Sequence, residues 1–442
     1  MYVLGRRASL WVAASVAAIA LWTSAAPTMT YPLYAAEWHL DATVTTGIFA
    51  VYPATLVIVL LLAGDLSDYL GRRTTILLGL ATSLVGVLLF AVAPDVGVVF
   101  AGRALMGIGV GLSLTPATAA MTEFSAPGKA SRAGSIATLA TAAGLGLAFL
   151  VGGSLIEYAP FPTRLSFWVL AAVIAVVLVF AWFLPRHAAD PATGHWHPRA
   201  PRLASGFRWI FVTSAIAMTA AFGVGTIMMS LGAQIARDLI GSNNALVTGG
   251  ILAMFAVVIA VVALLAKGTP AKVAIMLGSA GTTIGMTLLA VAAAQASLVL
   301  FLASAIAMGT GYSLLFLGGL GLITANAPAR SRAGAISAVY LIAYLMQGVT
   351  ALLLGAVATR SGLTQALNLG APAIAILSIA AVAASLLVSR HQPHPAGRRR
   401  TSPPDIPGEL SAPTLRSPTL TSPTPSAPIG TLALINEREY TR

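Results

Sequence analysis

The sequence contains no cysteine, which excludes disulfides, thiol redox chemistry and cysteine-ligated zinc. Charge is almost as scarce: Asp, Glu, Lys and Arg make up 9% of the residues, whereas a soluble globular chain carries about a quarter. Motifs of energy-consuming or covalent chemistry are missing as well. Without a G-x-x-x-x-G-K-[ST] phosphate loop, an ATP-driven pump has no nucleotide site. Without G-x-S-x-G, paired aspartates or a histidine pair inside an apolar run, an intramembrane enzyme has no catalytic constellation. The ten-residue alternating strands of a membrane β-barrel are absent too. No cofactor and no metal is expected. His195 and His197 lack a carboxylate or cysteine to complete a site and read as part of a solvated linker.

What the chain has in abundance is apolar length. The hydrophobic fraction is 57% and the mean hydropathy is +0.88. Runs of about 20 apolar residues, each able to cross a roughly 30 Å hydrocarbon core as a helix, recur up to about residue 389. The expected fold class is therefore an all-α membrane protein. Twelve spans can be drawn, at 9–33, 44–63, 75–93, 96–118, 134–156, 165–184, 208–231, 246–266, 273–293, 297–322, 334–357 and 366–388. The first run is too long for a signal-peptide core and reads as a span.

The formal net charge of +12 would suggest nucleic acid if the bases clustered on a soluble domain. They alternate between spans instead, which is the signature of membrane orientation. With the amino terminus inside, the cytoplasmic segments hold Arg6, Arg7, Arg72, Arg73, Lys129, Arg132, Arg186, Arg199, Arg202, Arg208, Lys267, Lys272, Arg330 and Arg332, and the tail adds Arg390 and Arg398 to Arg400. The opposite loops hold Arg164, Arg237 and Arg360. Both termini are thus expected inside, in a plasma (inner) membrane of bacterial type.

The chain divides into a six-helix bundle at 1–184, a cytoplasmic linker at 185–207, a second six-helix bundle at 208–389 and a Pro/Ser/Thr-rich tail at 390–442, expected to be disordered. The halves echo each other. Ser131-Arg132-Ala133-Gly134 recurs as Ser331-Arg332-Ala333-Gly334, and Met106-Gly107-Ile108-Gly109 as Met308-Gly309-Thr310-Gly311. Parallel duplication of this kind is how transporters with two rocking halves are built.

The polar stretch Gly64-Asp65-Leu66-Ser67-Asp68-Tyr69-Leu70-Gly71-Arg72-Arg73 stands between spans two and three. Its glycines permit sharp turns and close helix approach. Asp68 offers a carboxylate to arginines or to a helix amino terminus. In this position Gly64, Leu66, Asp68, Gly71, Arg72 and Arg73 resemble the signature of the major facilitator superfamily. The likeness covers about residues 9–389, and the twelve-span drug:proton antiporters are the group it is most similar to. The resemblance implies that the stretch latches the two halves on the cytoplasmic side, against the start of span eleven. A plain charged turn is the alternative. In the second half the turn survives as Lys267-Gly268-Thr269-Pro270-Ala271-Lys272, without an acid.

Arg103-Ala104-Leu105-Met106-Gly107 in span four resembles that family's R-x-x-x-G motif. Arg103 lies about seven residues into the helix, roughly 10 Å along its axis. Arginine at mid-helix costs about 2.5–3.5 kcal/mol even on the milder insertion scale, so it is expected to face an interior cavity or to snorkel to the outer interface. In span five the family's glycine-proline signature is degenerate: Gly144, Gly146, Gly152 and Gly153 remain, but the Gly-Pro pair is Ala148-Phe149. The kink is lost while close packing is kept, which puts antiport in doubt.

The resemblance places the cavity among spans one, four, seven and ten. Cavity candidates are Thr23, Thr30, Tyr31 and Tyr34 in span one, with Tyr312 in span ten and Tyr340, Tyr344 and Gln347 in span eleven. In span seven Thr219, Gly223, Thr226, Ser230 and Gln234 follow the spacing of one helical face, suited to a wet wall or to tight packing. No acid falls at mid-membrane, so the charged or coupling candidates are Arg103, Glu123 and Glu37. The expected activity is alternating-access secondary transport, with proton-linked export of small amphipathic compounds, as in a multidrug efflux antiporter. The alternative is an uptake permease or facilitator for a small metabolite. The expected partners are a small-molecule cargo, protons as coupling ion and the lipid bilayer. The chain is expected to work as a monomer.

Overall fold

The computed structural model describes residues 3–63, 66–125, 130–185, 208–327 and 332–391, all within the compact unit Met1–Gln392. The expectations for Gly64, for the Asp68 and Arg332 side chains, for the linker and for the tail lie outside what is described. Among the described residues there is no strand. Eleven helices are long and apolar enough to cross a membrane, and a shorter apolar helix, Leu165–Ala181, supplies the remaining span.

Span one is broken. It runs as Arg6–Ala25, a tight 3-10 turn at Ala26–Met29 and a second helix Tyr31–Glu37. Span two is Ala42–Ala63, followed by a short helix Leu66–Leu70. Spans three to six are Arg72–Val92, Val96–Phe124, Ala130–Tyr158 and Leu165–Ala181. Span seven runs as Arg208–Thr226, a wide π-turn at Ile227–Leu231 and Gly232–Asp238. Spans eight to twelve are Ala245–Leu265, Ala271–Ala294, Leu298–Asn326, Arg332–Ser361 and Leu363–His391.

Side-chain caps start the helices at the end opposite the basic loops, and the two halves repeat them. Asp41 Oδ1 accepts from Val44 N at 2.8 Å before span two, and Asn244 Oδ1 from Val247 N at 2.8 Å before span eight. Asp95 takes the Gly97 and Val98 amides before span four, and Ser297 takes the Leu300 amide before span ten. Each cap satisfies amides that a helix start leaves without an internal partner.

Lipid tails are as apolar as leucine, so helices in a bilayer gain little by burying leucine against one another. Close backbone approach at small residues supplies the contact instead. A Cβ on Gly79 would meet the Gly109 carbonyl oxygen at 2.6 Å, and one on Gly86 the Gly102 carbonyl at 2.7 Å, so spans three and four touch backbone to backbone. The second half repeats this between spans nine and ten. There a Cβ on Gly278 would meet Leu315 N, and one on Gly285 Met308 N, each at 2.7 Å. The duplicated Met-Gly-x-Gly sequence is thus the span-four and span-ten side of a duplicated seam.

Spans two and eleven, and spans five and eight, pack against each other across the halves. These approaches gather toward the end opposite the basic loops. A Cβ on Gly153 would sit 2.6 Å from the Ala245 carbonyl oxygen, and one on Gly355 2.8 Å from the Ala42 carbonyl. At the same end Thr43 and Thr359 share a 2.9 Å hydroxyl hydrogen bond, and the Ala245 amide donates to Glu157 Oε2 at 2.8 Å. At the basic end Lys267 Nζ donates to Ser135 Oγ.

Gly109→Leu forces the span-three backbone away and is expected to cost about 1–3 kcal/mol, the scale of overpacking. Gly146 has nothing within 4 Å of its Cβ position, so Gly146→Ala is expected to be neutral or stabilising by up to about 1 kcal/mol. Melting of the purified protein in detergent reads both.

Candidate functional site

At the basic end, Gly71 has φ +80°, a conformation in which an L side chain is strained. It joins the short helix to span three. Gly268, with φ +85°, does the same between spans eight and nine. The turn geometry is therefore duplicated even though the acid is not. Arg72 is ion-paired with Glu123 at the end of span four, and both are partly exposed. The Arg73 guanidinium sits 5.5 Å from the centre of the Trp182 ring at the end of span six. The basic pair thus ties the turn to spans four and six of its own half. Leu66 lies in the short helix.

Arg103 is fully buried, which rules out snorkelling to the interface. Its environment follows from Pro27. Proline has no amide hydrogen, so the carbonyl four residues earlier loses its helical donor. That carbonyl belongs to Thr23, in the last turn of the first helix, and the 3-10 turn begins at Ala26. Arg103 Nη1 reaches across from span four to Ser24 O at 2.9 Å, with Thr23 O at 3.5 Å. The guanidinium carbon also lies 4.5 Å from the centre of the Tyr52 ring and 5.9 Å from that of Phe49, both in span two. Two carbonyl dipoles and two aromatic faces hold a charge that has no ion pair among the described residues.

The other broken helix answers this one. Thr28 Oγ1, in the span-one turn, donates to Met229 O at 2.8 Å, in the span-seven π-turn. Arg237 Nη1 donates to Pro32 O at 2.8 Å. The π-turn follows Thr226 and carries about one extra residue, so Thr219, Gly223 and Thr226 keep one face of a regular helix while Gln234, beyond the turn, is rotated off it. Thr226 and Ser230 are buried, with their hydroxyls donating to Phe222 O and Thr226 O in their own helix. Thr219 and Gln234 are half-buried, and Gly223 packs on Ile374 of span twelve.

In span one, Thr23, Thr30 and Tyr31 are buried around the break, and Thr30 Oγ1 donates to Pro27 O. Tyr34 sits elsewhere. Its hydroxyl donates to Thr163 O at 3.2 Å and its ring stacks on Trp38 and leans on Phe90, inside the first half. Glu37 is exposed at the end of the same helix.

Tyr312, Tyr340 and Tyr344 form part of one aromatic wall in the second half. Phe222 meets Tyr344 edge-on at 4.8 Å, Tyr312 lies parallel to Phe316 at 6.2 Å, and Phe316 touches Tyr340 at 6.0 Å. Gln347 is buried farther along span eleven. Reading polar residues alone missed Phe222 and Phe316, and it missed Tyr52 and Phe49 beside Arg103. One signal was available: Phe316 lies one helical turn beyond Tyr312, on the same face.

A family model described as Major Facilitator Superfamily matches residues 10–269, more than half of the chain. The chain belongs to this superfamily. Multidrug efflux pump LfrA of Mycolicibacterium smegmatis (strain ATCC 700084 / mc(2)155) is 32% identical over 169 residues, which is 38% of this chain and 33% of that protein. Puromycin resistance protein pur8 of Streptomyces alboniger is 35% identical over 146 residues, 33% of this chain and 27% of that protein. The match thus spans about a third of the length of these curated relatives. Among solved structures, nucleoside transporter NupG superposes with a TM-score of 0.70 at 13% identity, covering 87% of this chain and 99% of that one. A bacterial homolog of human lysosomal Spinster, in an inward-facing and unoccupied conformation, gives 0.67 at 16% identity, covering 87% and 97%. Those two structures share the superfamily fold with this chain. It is an integral membrane protein.

The superfamily frame separates two kinds of charge. The Arg72–Glu123 pair is partly exposed, so Arg72→Gln or Glu123→Gln is expected to cost less than about 1 kcal/mol of stability. Arg103→Met strands the Ser24 carbonyl inside the protein and is expected to cost about 1–3 kcal/mol. Thermal melts of the variants, side by side in one detergent, give the comparison.

Proposed function

We propose that the chain is an alternating-access exporter of small amphipathic compounds, linked to protons. The two halves, 1–184 and 208–389, would rock about the interfaces between spans two and eleven and between spans five and eight. The supporting observation is the meeting of two broken helices in corresponding spans. The Ala26–Met29 turn and the Ile227–Leu231 turn touch through Thr28 and Met229. Discontinuous helices in matching positions of two repeats point to a transport site near the membrane midplane. The polar residues of span one on one side and the aromatic wall of spans seven, ten and eleven on the other suit a cargo with both polar and planar apolar parts. Export is favoured over uptake by the two relatives described as an efflux pump and a resistance protein.

For coupling, Glu123 is one candidate, a partly exposed carboxylate ion-paired with Arg72. Glu37 and Arg103 are the other candidates. Asp68 remains the proposed latch. Both termini would be cytoplasmic, in a bacterial plasma membrane, and the chain would work as a monomer.

Cells loaded with a panel of fluorescent amphipathic compounds test this reading. At least one compound is expected to leave faster when the protein is present, and collapse of the proton gradient by an uncoupler is expected to stop it. Efflux that continues after collapse removes proton linkage, and accumulation instead of loss favours the uptake alternative. In the same assay Asp68→Asn is expected to slow export at least several-fold. Normal export by that variant across a range of pH removes the latch.

A further inference from the structure

The Arg103 neighbourhood contains more donors than it uses. Nη1 serves the span-one carbonyls, but Arg103 Nε has no hydrogen-bond partner. The hydroxyls Thr23 Oγ1 and Tyr31 Oη are also buried without a partner. All three side chains are at least nine-tenths buried, at 0%, 0% and 3% exposure for Arg103, Thr23 and Tyr31. They belong to one neighbourhood: the Thr23 carbonyl lies 3.5 Å from Arg103 Nη1, the Ser24 carbonyl 2.9 Å from it, and Tyr31 opens the helix that follows the same short turn. Buried polar atoms without partners are rare, and three together call for an explanation. A guanidinium only donates, and each hydroxyl can donate, so an acceptor is the group that would satisfy all three. Water is an acceptor, but it leaves the charge uncompensated. Neither ion pair found among the described residues, Arg72 with Glu123 or Arg237 with Asp238, reaches Arg103.

We propose that Arg103 Nε, Thr23 Oγ1 and Tyr31 Oη form a binding site for a single monovalent anion. The anion is either a free halide or a carboxylate carried by the cargo. The site lies beside the span-one break. The cargo source rests on the transport reading above, whereas anion binding itself does not.

The test uses the purified full-length protein in detergent, with unfolding temperature followed at constant ionic strength. Sodium chloride replaces the sodium salt of HEPES, a bulky zwitterionic sulfonate, in one series, and sodium benzoate replaces it in another. A saturable rise in unfolding temperature is expected with at least one of the two anions. Benzoate that displaces bound chloride identifies the cargo carboxylate as a source, and a chloride response that benzoate leaves unchanged identifies the free ion. Thr23→Val combined with Tyr31→Phe removes two donors and keeps the shape of the site. It is expected to weaken the apparent affinity at least tenfold while melting like the parent in HEPES. Arg103→Gln is expected to abolish the response, and the double variant keeps the test decisive if Arg103→Gln does not fold. A flat response to both anions overturns the site, as does an unchanged response in the double variant. A protein that exports the panel compounds but ignores both anions loses this site alone. One that binds anion but exports nothing loses the transport reading and keeps the site.

Discussion

A helix in a bilayer must satisfy its own backbone, because the surrounding hydrocarbon offers neither donor nor acceptor. Most of this fold obeys that constraint by running unbroken helices, and the places where it cannot do so are where the chemistry collects. Pro27 removes one amide from span one, and the carbonyl it leaves behind has to find a donor inside the protein. Arg103 supplies that donor to the turn from a neighbouring span. The expense of burying a guanidinium and the expense of opening a helix offset each other in one contact.

The same constraint explains how the helices associate. Leucine against leucine offers little advantage over leucine against lipid, so the seams are built at glycine, where backbones meet. Gly79 against Gly109 and Gly86 against Gly102 in the first half are answered by Gly278 and Gly285 against span ten in the second. Between the halves, Gly153 and Gly355 give close approaches at the end opposite the basic loops. Hydrogen bonds add to this fit, between Thr43 and Thr359 and from the Ala245 amide to Glu157.

The aromatic wall and the arginine site divide the interior by chemistry. Spans seven, ten and eleven pack ring faces and edges against one another, while spans one, two and four hold buried donors and one positive charge. The basic turn at Gly64–Arg73 belongs to neither. Among the contacts described, Arg72 reaches Glu123 and Arg73 reaches Trp182, both in their own half.

Apolar length, the alternation of arginine and lysine between spans, the glycines and the Met-Gly-x-Gly repeat were all readable in sequence, because each is a local property of one helix or one loop. Arg103 was marked by its depth alone, and Gly71 by its place in a turn. The carbonyl partner of Arg103, the parting of Tyr34 from Tyr31, the π-turn at Ile227–Leu231 and the joining of Phe222 with Tyr344 were not readable. Each depends on the rotation and register of one helix against another, and helical spacing within a single span carries no information about its neighbour. The sequence by itself therefore determined that this is a twelve-span membrane protein of duplicated design. Only the tertiary structure decided which groups face each other across the spans, since those pairings are set by packing between segments distant along the chain.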